Sequence, residues 1–284
     1  MKPFGARLLL GLLIASFLTL AASAQTQAGQ IKAARIEGEV FKVAADGTQV
    51  QLNNDDLLTE TDTVVTGDKS SVVLVFMNGS TVRVAQGSRL KIEVFKMDPL
   101  AEGTNLASLT EEPSPSQTEL NLSFGEIVGN VKKLKGTSNY NIRTPVGAAG
   151  IRGTTFRIVF RPTGDGRAFN FQITTAEGLV VFEGTTPGSA DVPVAANQEI
   201  TVTVDVNPET QQVTVTSPVQ TTQMSQQSQQ QINQVVEQVV QAVQQTNFAP
   251  TPTPTPPPAP PPSPPPPPPP TTPPPTLTGG AGGG

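Results

Sequence analysis

The 284-residue chain contains no histidine, no cysteine and no tryptophan, and its one tyrosine is Tyr140. Without imidazole or thiolate, a Ser-His-Asp triad, a Cys-His pair and zinc sites built on those ligands are excluded. Without disulfides, a domain outside the cytoplasm must hold together by burial and backbone pairing alone. Carboxylate chemistry survives, because a glycosidase needs only two acidic side chains about 5 to 10 Å apart. Strand-rich text offers Glu93, Glu126, Glu177 and Glu183, but nothing in the sequence pairs them, and stacking rings of the kind sugar clefts use are scarce. No catalytic residue is assigned, no enzyme activity is expected, and no cofactor or metal is called for.

Basic residues are also few, 18 against 23 acidic ones. Two of them, Lys2 and Arg7, precede an apolar run from Leu8 to Leu20, and Ala22-Ser23-Ala24 follows as a small-residue cleavage site. This is the pattern of a secretory signal peptide over residues 1–24, cut after Ala24. The run is short for a membrane helix, which needs about 18 or more apolar residues, so no span is expected after cleavage. Residue 25 is Gln25, which closes the lipoprotein route. Loss of Lys2 and Arg7 takes the formal charge from −5 to −7, and nucleic acid is not an expected partner. The protein is expected to be exported, to the periplasm or to the cell surface.

From Ile31 to about Val215 the text consists of short β-branched and apolar runs broken by turn signals. Asp46-Gly47 and Asn78-Gly79 read as two-residue hairpin turns, and Gly164-Asp165-Gly166 as another hairpin tip. Val72 to Phe76 is a continuously buried run, and Leu90, Ile92 and Val94 keep a period of two. The fold class expected for residues 25–217 is all-β, a single antiparallel sandwich or barrel-like domain. Asp98 to Glu119, with three prolines, reads as a long exposed connection.

Residues 218–249 are Gln-rich. Within them Ile232, Val235, Val236, Val239, Val240 and Val243 fall at spacings of three and four, one helical stripe suited to docking or to self-association, with a partly disordered Gln tract as the alternative. Residues 250–284 are nearly all Pro, Thr and Gly, an extended and disordered spacer.

Two clusters and one loop invite chemistry. Asn54, Asp55, Asp56, Glu60 and Asp62 are oxygen ligands without calcium-loop spacing, so a solvated loop is expected. Lys132, Lys133 and Lys135 make a basic cluster that keeps a sheet edge soluble or meets an anionic polymer. "TPVGAAGIRGTTFRI" spaces Gly147, Gly150 and Gly153 three apart after Thr144 and Pro145. A phosphate-binding glycine loop needs a helix after it, whereas "TTFRIVF", with Phe156, is strand text. The stretch reads as a corner in the sheet, with Thr154 beyond it and Arg152 placed to lace carbonyls across the bend or to touch a partner.

"YNIRTPVGAAGIRGTTFRI" resembles the most distinctive stretch of the FecR domain, an extracytoplasmic bacterial module. "IEGEVF", "LLTETDTVVTGDKSSVVLVFMNGSTVRV", "LSFGEIVGNVKKL", "ITTAEGLVVF" and "VPVAANQEITV" follow the family's order, so the similarity spans about Ile36 to Val204. The resemblance implies an exported, non-catalytic β domain. In that family a periplasmic region relays receptor occupancy through a membrane helix to a sigma factor. The apolar run here leaves only seven residues before it, so that relay is not expected. Two readings remain: a module that recognises an envelope protein or polymer, or a structural surface protein that forms homo-oligomers through Ile232, Val235, Val236, Val239 and Val243.

Overall fold

The computed structural model describes residues 27–101, 103–164, 168–185, 190–207, 210 and 213–248. The leader with its cleavage site at Ala24, the tail from residue 250 and the Asp165-Gly166 part of one hairpin tip lie outside the described residues. The first strands are β1 (Gln27–Ala28), β2 (Ile31–Glu37), β3 (Val40–Val43), β4 (Gln49–Gln51), β5 (Leu57–Leu58), β6 (Thr63–Thr66), β7 (Ser71–Phe76), β8 (Thr81–Val84) and β9 (Ser88–Met97). After a 3₁₀ turn at Leu106–Ser108 come β10 (Ser116–Asn130), β11 (Asn139–Thr144), β12 (Gly147–Ile151), β13 (Thr155–Pro162), β14 (Ala168–Glu177) and β15 (Leu179–Gly184). Then β16 (Val192–Ala195), β17 (Gln198–Val206), β18 (Val213–Val215) and β19 (Thr221–Gln223) lead to helix α1 (Gln226–Gln245).

The strands form two sheets around one core. Sheet A runs β4, β3, β6, β9, β10, β11, β12, β15, β16, with β1 beside the end of β9. Sheet B runs β5, β2, β7, β8, β10, β13, β14, β17, with β18 and β19 on the far edge of β17. Strand β10 belongs to both, which joins the sandwich into a barrel-like wrap. Among the described residues, the end strands of the two sheets are not paired to each other.

Alternation along β10 shows how the sharing works. Leu120 and Leu122 face the core, Phe124 is exposed, and beyond Gly125 it is Ile127 that faces inward. Even residues point inward in sheet A and odd ones in sheet B, so the phase changes at the bend. Gly125 carries the bend at φ +109°, backbone that only glycine adopts readily. The bend is also what lets β11 pair with β10 in parallel, Gln117 opposite Asn139, the one departure from the antiparallel expectation among the described pairings of named strands. Nine residue steps from Asn130 to Asn139 span at most about 32 Å. Thirteen steps of straight strand from Gln117 to Asn130 would cover about 43 Å. The chain can return to the start of β10 only because β10 is bent.

Other passages between the sheets also use left-handed residues: Gly38, Lys69, Gly87, Gly153, Gly178 and Asn197 all have positive φ. The hairpins expected at Asp46-Gly47 and Asn78-Gly79 exist, but with three-residue loops. Ala44 N–H donates to the Thr48 carbonyl at 2.9 Å, and Phe76 N–H to that of Ser80 at 2.9 Å. Gly47 (φ +85°) and Gly79 (φ +83°) fill the left-handed third position that such loops require.

The core gathers Phe76, Phe95, Phe156, Phe171, Phe182 and Tyr140, all nearly inaccessible. Among the described residues Tyr140 has no hydrogen-bond partner for its hydroxyl, and burial pushes its phenol well above the usual range. As a core residue it offers no platform to a sugar. In β9, Phe95 and Met97 replace Val94 as core residues, because a bulge opposite Glu119 and Leu120 shifts the inward phase by one.

Strand β7 is buried on both faces. Val72, Leu74 and Phe76 enter the main core, while Val73 and Val75 pack with Val239, Ala242 and Val243 of α1 and with Leu106. The valine stripe read as an association surface is therefore covered largely by the chain's own sheet. Val239 and Ile232 are fully buried, Val235 and Val236 are half-buried, and only Val240 stands well exposed. Ser225 caps the helix, its hydroxyl accepting from Ser228 N–H. Lys32 Nζ donates to the Asn247 carbonyl at 2.6 Å and lies 5.6 Å from the Phe248 ring centroid, fixing the far end.

The connection before β10 is not simply exposed. Glu112 is buried, and its carboxylate accepts from Ser116 Oγ at 2.5 Å, from Lys135 N–H at 2.7 Å and from Ser138 Oγ. These bonds tie the loop to the segment between β10 and β11.

Candidate functional site: a small-residue trough on sheet A

The stretch from Thr144 to Phe156 is two structures in succession. Thr144 and Gly147 face each other across a tight turn with Pro145 and Val146 at its tip. Thr144 Oγ1 accepts from Gly147 N–H at 3.2 Å and Val146 N–H at 3.3 Å, and donates to the Gly147 carbonyl at 2.9 Å. Proline at the second position preorganises the turn and has no N–H to satisfy. Val146 is buried, so the tip is anchored in the core.

Beyond the turn, the chain departs from the expected single corner carried by three glycines. Gly147 to Ile151 is strand β12, paired with β11 on one side and β15 on the other. The corner lies at Arg152 to Thr154, where the chain leaves sheet A for sheet B and Gly153 adopts φ +64°. Arg152 is exposed and its Nη1 donates to the Ser138 carbonyl at 3.4 Å. Thr154 is buried and donates to the Leu179 carbonyl at 3.0 Å. Phe156 fills the core against Gly129.

The glycines of β12 have different reasons to be there. A Cβ on Gly147 would sit 2.2 Å from the Glu183 carbonyl oxygen and 2.8 Å from the Phe182 ring. On Gly150 its nearest neighbour would be 3.6 Å away, an ordinary van der Waals distance. Gly147→Ala should therefore cost about 2–3 kcal/mol, whereas Gly150→Ala should be neutral or stabilise by up to about 1 kcal/mol. Urea unfolding of the two variants checks this, and equal losses would contradict it.

Gly150 and Ala148 face outward, away from the core residues Ala149 and Ile151. Between larger side chains on β11 and β15, Ala148 and the backbone of Gly147 and Gly184 make the floor of a trough of about 380 Å³, lined also by Asn141, Arg143, Thr144, Glu183 and Thr185. One wall carries Arg143, whose Nε lies 3.8 Å from Glu93 and whose Nη2 lies 3.7 Å from Glu119, its side chain 58% exposed. The other carries Glu183, exposed and without an ion pair among the described residues. The trough thus offers on one wall a guanidinium bordered by two carboxylates, on the other a carboxylate, and a floor of a methyl group and bare backbone. It is open along its length, suited to a polypeptide or polymer surface more than to an enclosed small molecule. The sequence pointed to the motif but not to the trough, since Arg143 and Asn141 are ordinary strand residues until β12 sets them beside Glu183.

Other candidates are engaged elsewhere. Asp56 accepts from Asn53 N–H at 2.7 Å and Asp62 from Thr59 N–H at 2.8 Å, so these carboxylates close turns. Lys135 and Lys133 lie 2.9 and 3.6 Å from Glu111, and the Lys135 contact holds the Glu111 carboxyl below its usual range. Burial pushes the Lys132 ammonium down. Glu126 is held by Arg157 at 2.8 Å, and Glu177 accepts from Thr155 Oγ1 at 3.4 Å. Among the described residues no helix is long and apolar enough to cross a membrane.

Comparison with known proteins adds the following. No curated protein matches this chain. Two crystal structures of a "putative anti-sigma factor" from Parabacteroides distasonis ATCC 8503 are similar, each with 13% identity, a TM-score of 0.36 and 58% of this chain covered. The match spans 61% of the length of that chain. The model of the family described as FecR protein matches residues 62–181, a segment that contains the trough-lining strands β11 and β12.

Proposed function

We propose that the protein is a non-catalytic FecR-like binding or sensing module acting outside the cytoplasm. It recognises a protein or polymer of the cell envelope through the outer face of sheet A around β11, β12 and β15. The observation that carries this reading is the trough itself. Ala148, flanked by Gly147 and Gly184, leaves a shallow path between Arg143 and Glu183, and most of it lies in the FecR-matched segment. A partner there exchanges hydration of two opposite charges for contacts of both signs, an arrangement that gives register and specificity more than raw affinity. The exported location follows from the leader pattern, and the Pro-rich tail serves as a tether or spacer.

Filling the trough tests the reading. Ala148→Trp places a large ring on a solvent-facing strand position and should leave the circular dichroism spectrum unchanged. An envelope component captured by the wild-type chain should be lost with this variant and retained by Arg152→Ala, whose side chain lies outside the trough. Capture that survives Ala148→Trp unchanged would remove the trough from the account.

A further inference from the structure

The outer face of sheet B carries a second concavity, below the part covered by α1. It has a volume of about 530 Å³ and is lined by Glu37, Lys69, Ser70, Ser71, Arg83, Ala85, Gln86, Glu126 and Arg161. Its floor is small, with Ser71 and Ala85 both buried. Three cations and two carboxylates surround it, but the carboxylates are already engaged. Glu126 lies 2.8 Å from Arg157 Nε and 3.8 Å from Arg161 Nη2, and Glu37 accepts from Ser71 Oγ at 3.0 Å.

Two of the cations are not engaged. Among the described residues neither Arg83 nor Lys69 has an ion pair or a hydrogen bond from its side chain. Arg83 is half-buried on β8, where partial desolvation makes an unpaired guanidinium costly. Lys69 sits at a sheet crossing with φ +53°, a conformation uncommon outside glycine that surrounding structure must hold in place. Its N–H donates to Gln86 Oε1 at 3.0 Å, and the Gln86 carbonyl accepts from Arg161 Nη2 at 2.7 Å. The backbone that presents Lys69 is thus fastened through Gln86 to Arg161.

We propose that this cleft is a binding site for an anionic oxygen group, a carboxylate or a phosphate, taken up by Arg83 and Lys69. The guanidinium supplies a planar fork that matches either oxyanion, and Lys69 adds a mobile point charge. The excess of cations is local, in a chain whose overall balance is acidic, so the site attracts an anion against the net field and its affinity falls as salt rises.

The test is an NMR titration of the full chain at low ionic strength with two separate probes, inorganic phosphate and acetate. Saturable shifts of the Lys69, Ser70, Ser71 and Gln86 amides are expected with at least one probe. The probe that saturates at lower concentration identifies the phosphate or the carboxylate source. Arg83→Gln, which breaks no hydrogen bond or ion pair among the described residues, should weaken the response by about tenfold or more. Lys91→Gln, an exposed cation on β9 of the opposite sheet and outside both concavities, should titrate as wild type. No saturable shift with either probe, or equal responses in wild type and Arg83→Gln, would overturn the site.

Discussion

Gly125→Ala should cost about 3–6 kcal/mol of stability, a large share of the roughly 5–15 kcal/mol that a domain of this kind possesses. Two penalties combine. The backbone at φ +109° is strained for any residue with a Cβ, and that Cβ would lie 2.2 Å from Ser88 Oγ, 2.4 Å from Ser88 Cβ and 2.5 Å from Ser88 Cα. Ser88 cannot move aside, since its N–H donates to Thr66 Oγ1 at 2.9 Å and its hydroxyl accepts from Glu126 N–H at 3.0 Å. The double variant Gly125→Ala, Ser88→Gly relieves the side-chain clash but neither the overlap with the backbone of residue 88 nor the strain, so it should recover part of the loss. Urea midpoints measure all three proteins. A wild-type midpoint for Gly125→Ala would mean that β10 does not pass between the sheets through a left-handed bend, and the parallel pairing with β11 would lose its explanation.

That bend shows where the sequence is legible and where it is not. The all-β class, the hairpins and the helix follow from local periods and turn residues, which act over a few positions. The phase change between Leu122 and Ile127 is also visible in the text, as apolar residues shift from even to odd numbers around Phe124-Gly125. Its meaning as a change of sheet is not visible, because it depends on which strands flank each half. The same holds for the bulge that puts Phe95 rather than Val94 in the core. Val72 to Phe76 announces a doubly buried strand, yet nothing local says that α1, more than 150 residues later, supplies the second cover. Glu112 is a further case: Pro113 and Pro115 mark the segment as a loop, while the bonds that bury its carboxylate come partly from Lys135 and Ser138. The FecR motif could be read as a pattern, but Gly147 and Gly150 differ in role only through distance to β15.

Removing the chain from Ser225 onward should make the protein self-associate, the reverse of what an association helix would do. The helix shields Val73 and Val75 through Val239, Ala242 and Val243, and Leu106 and Leu109 complete that cluster. Losing two to three buried apolar side chains withdraws about 3–5 kcal/mol of burial, and the bare face of β7 becomes an exposed patch of the kind that drives association. Val239→Asp makes the same point without shortening the chain, because a charge at a site 1% exposed must either stay buried unpaired or push the helix off. Sedimentation velocity over a range of concentrations should show the intact chain as one concentration-independent species, and both variants as species that grow with concentration. Oligomers in the intact chain that disappear on truncation would instead mean that the stripe joins chains, which would shift the protein toward a structural role in the envelope. A helix that covers its own sheet has Val239 and Val243 committed to β7 and leaves only Val240 of its stripe well exposed.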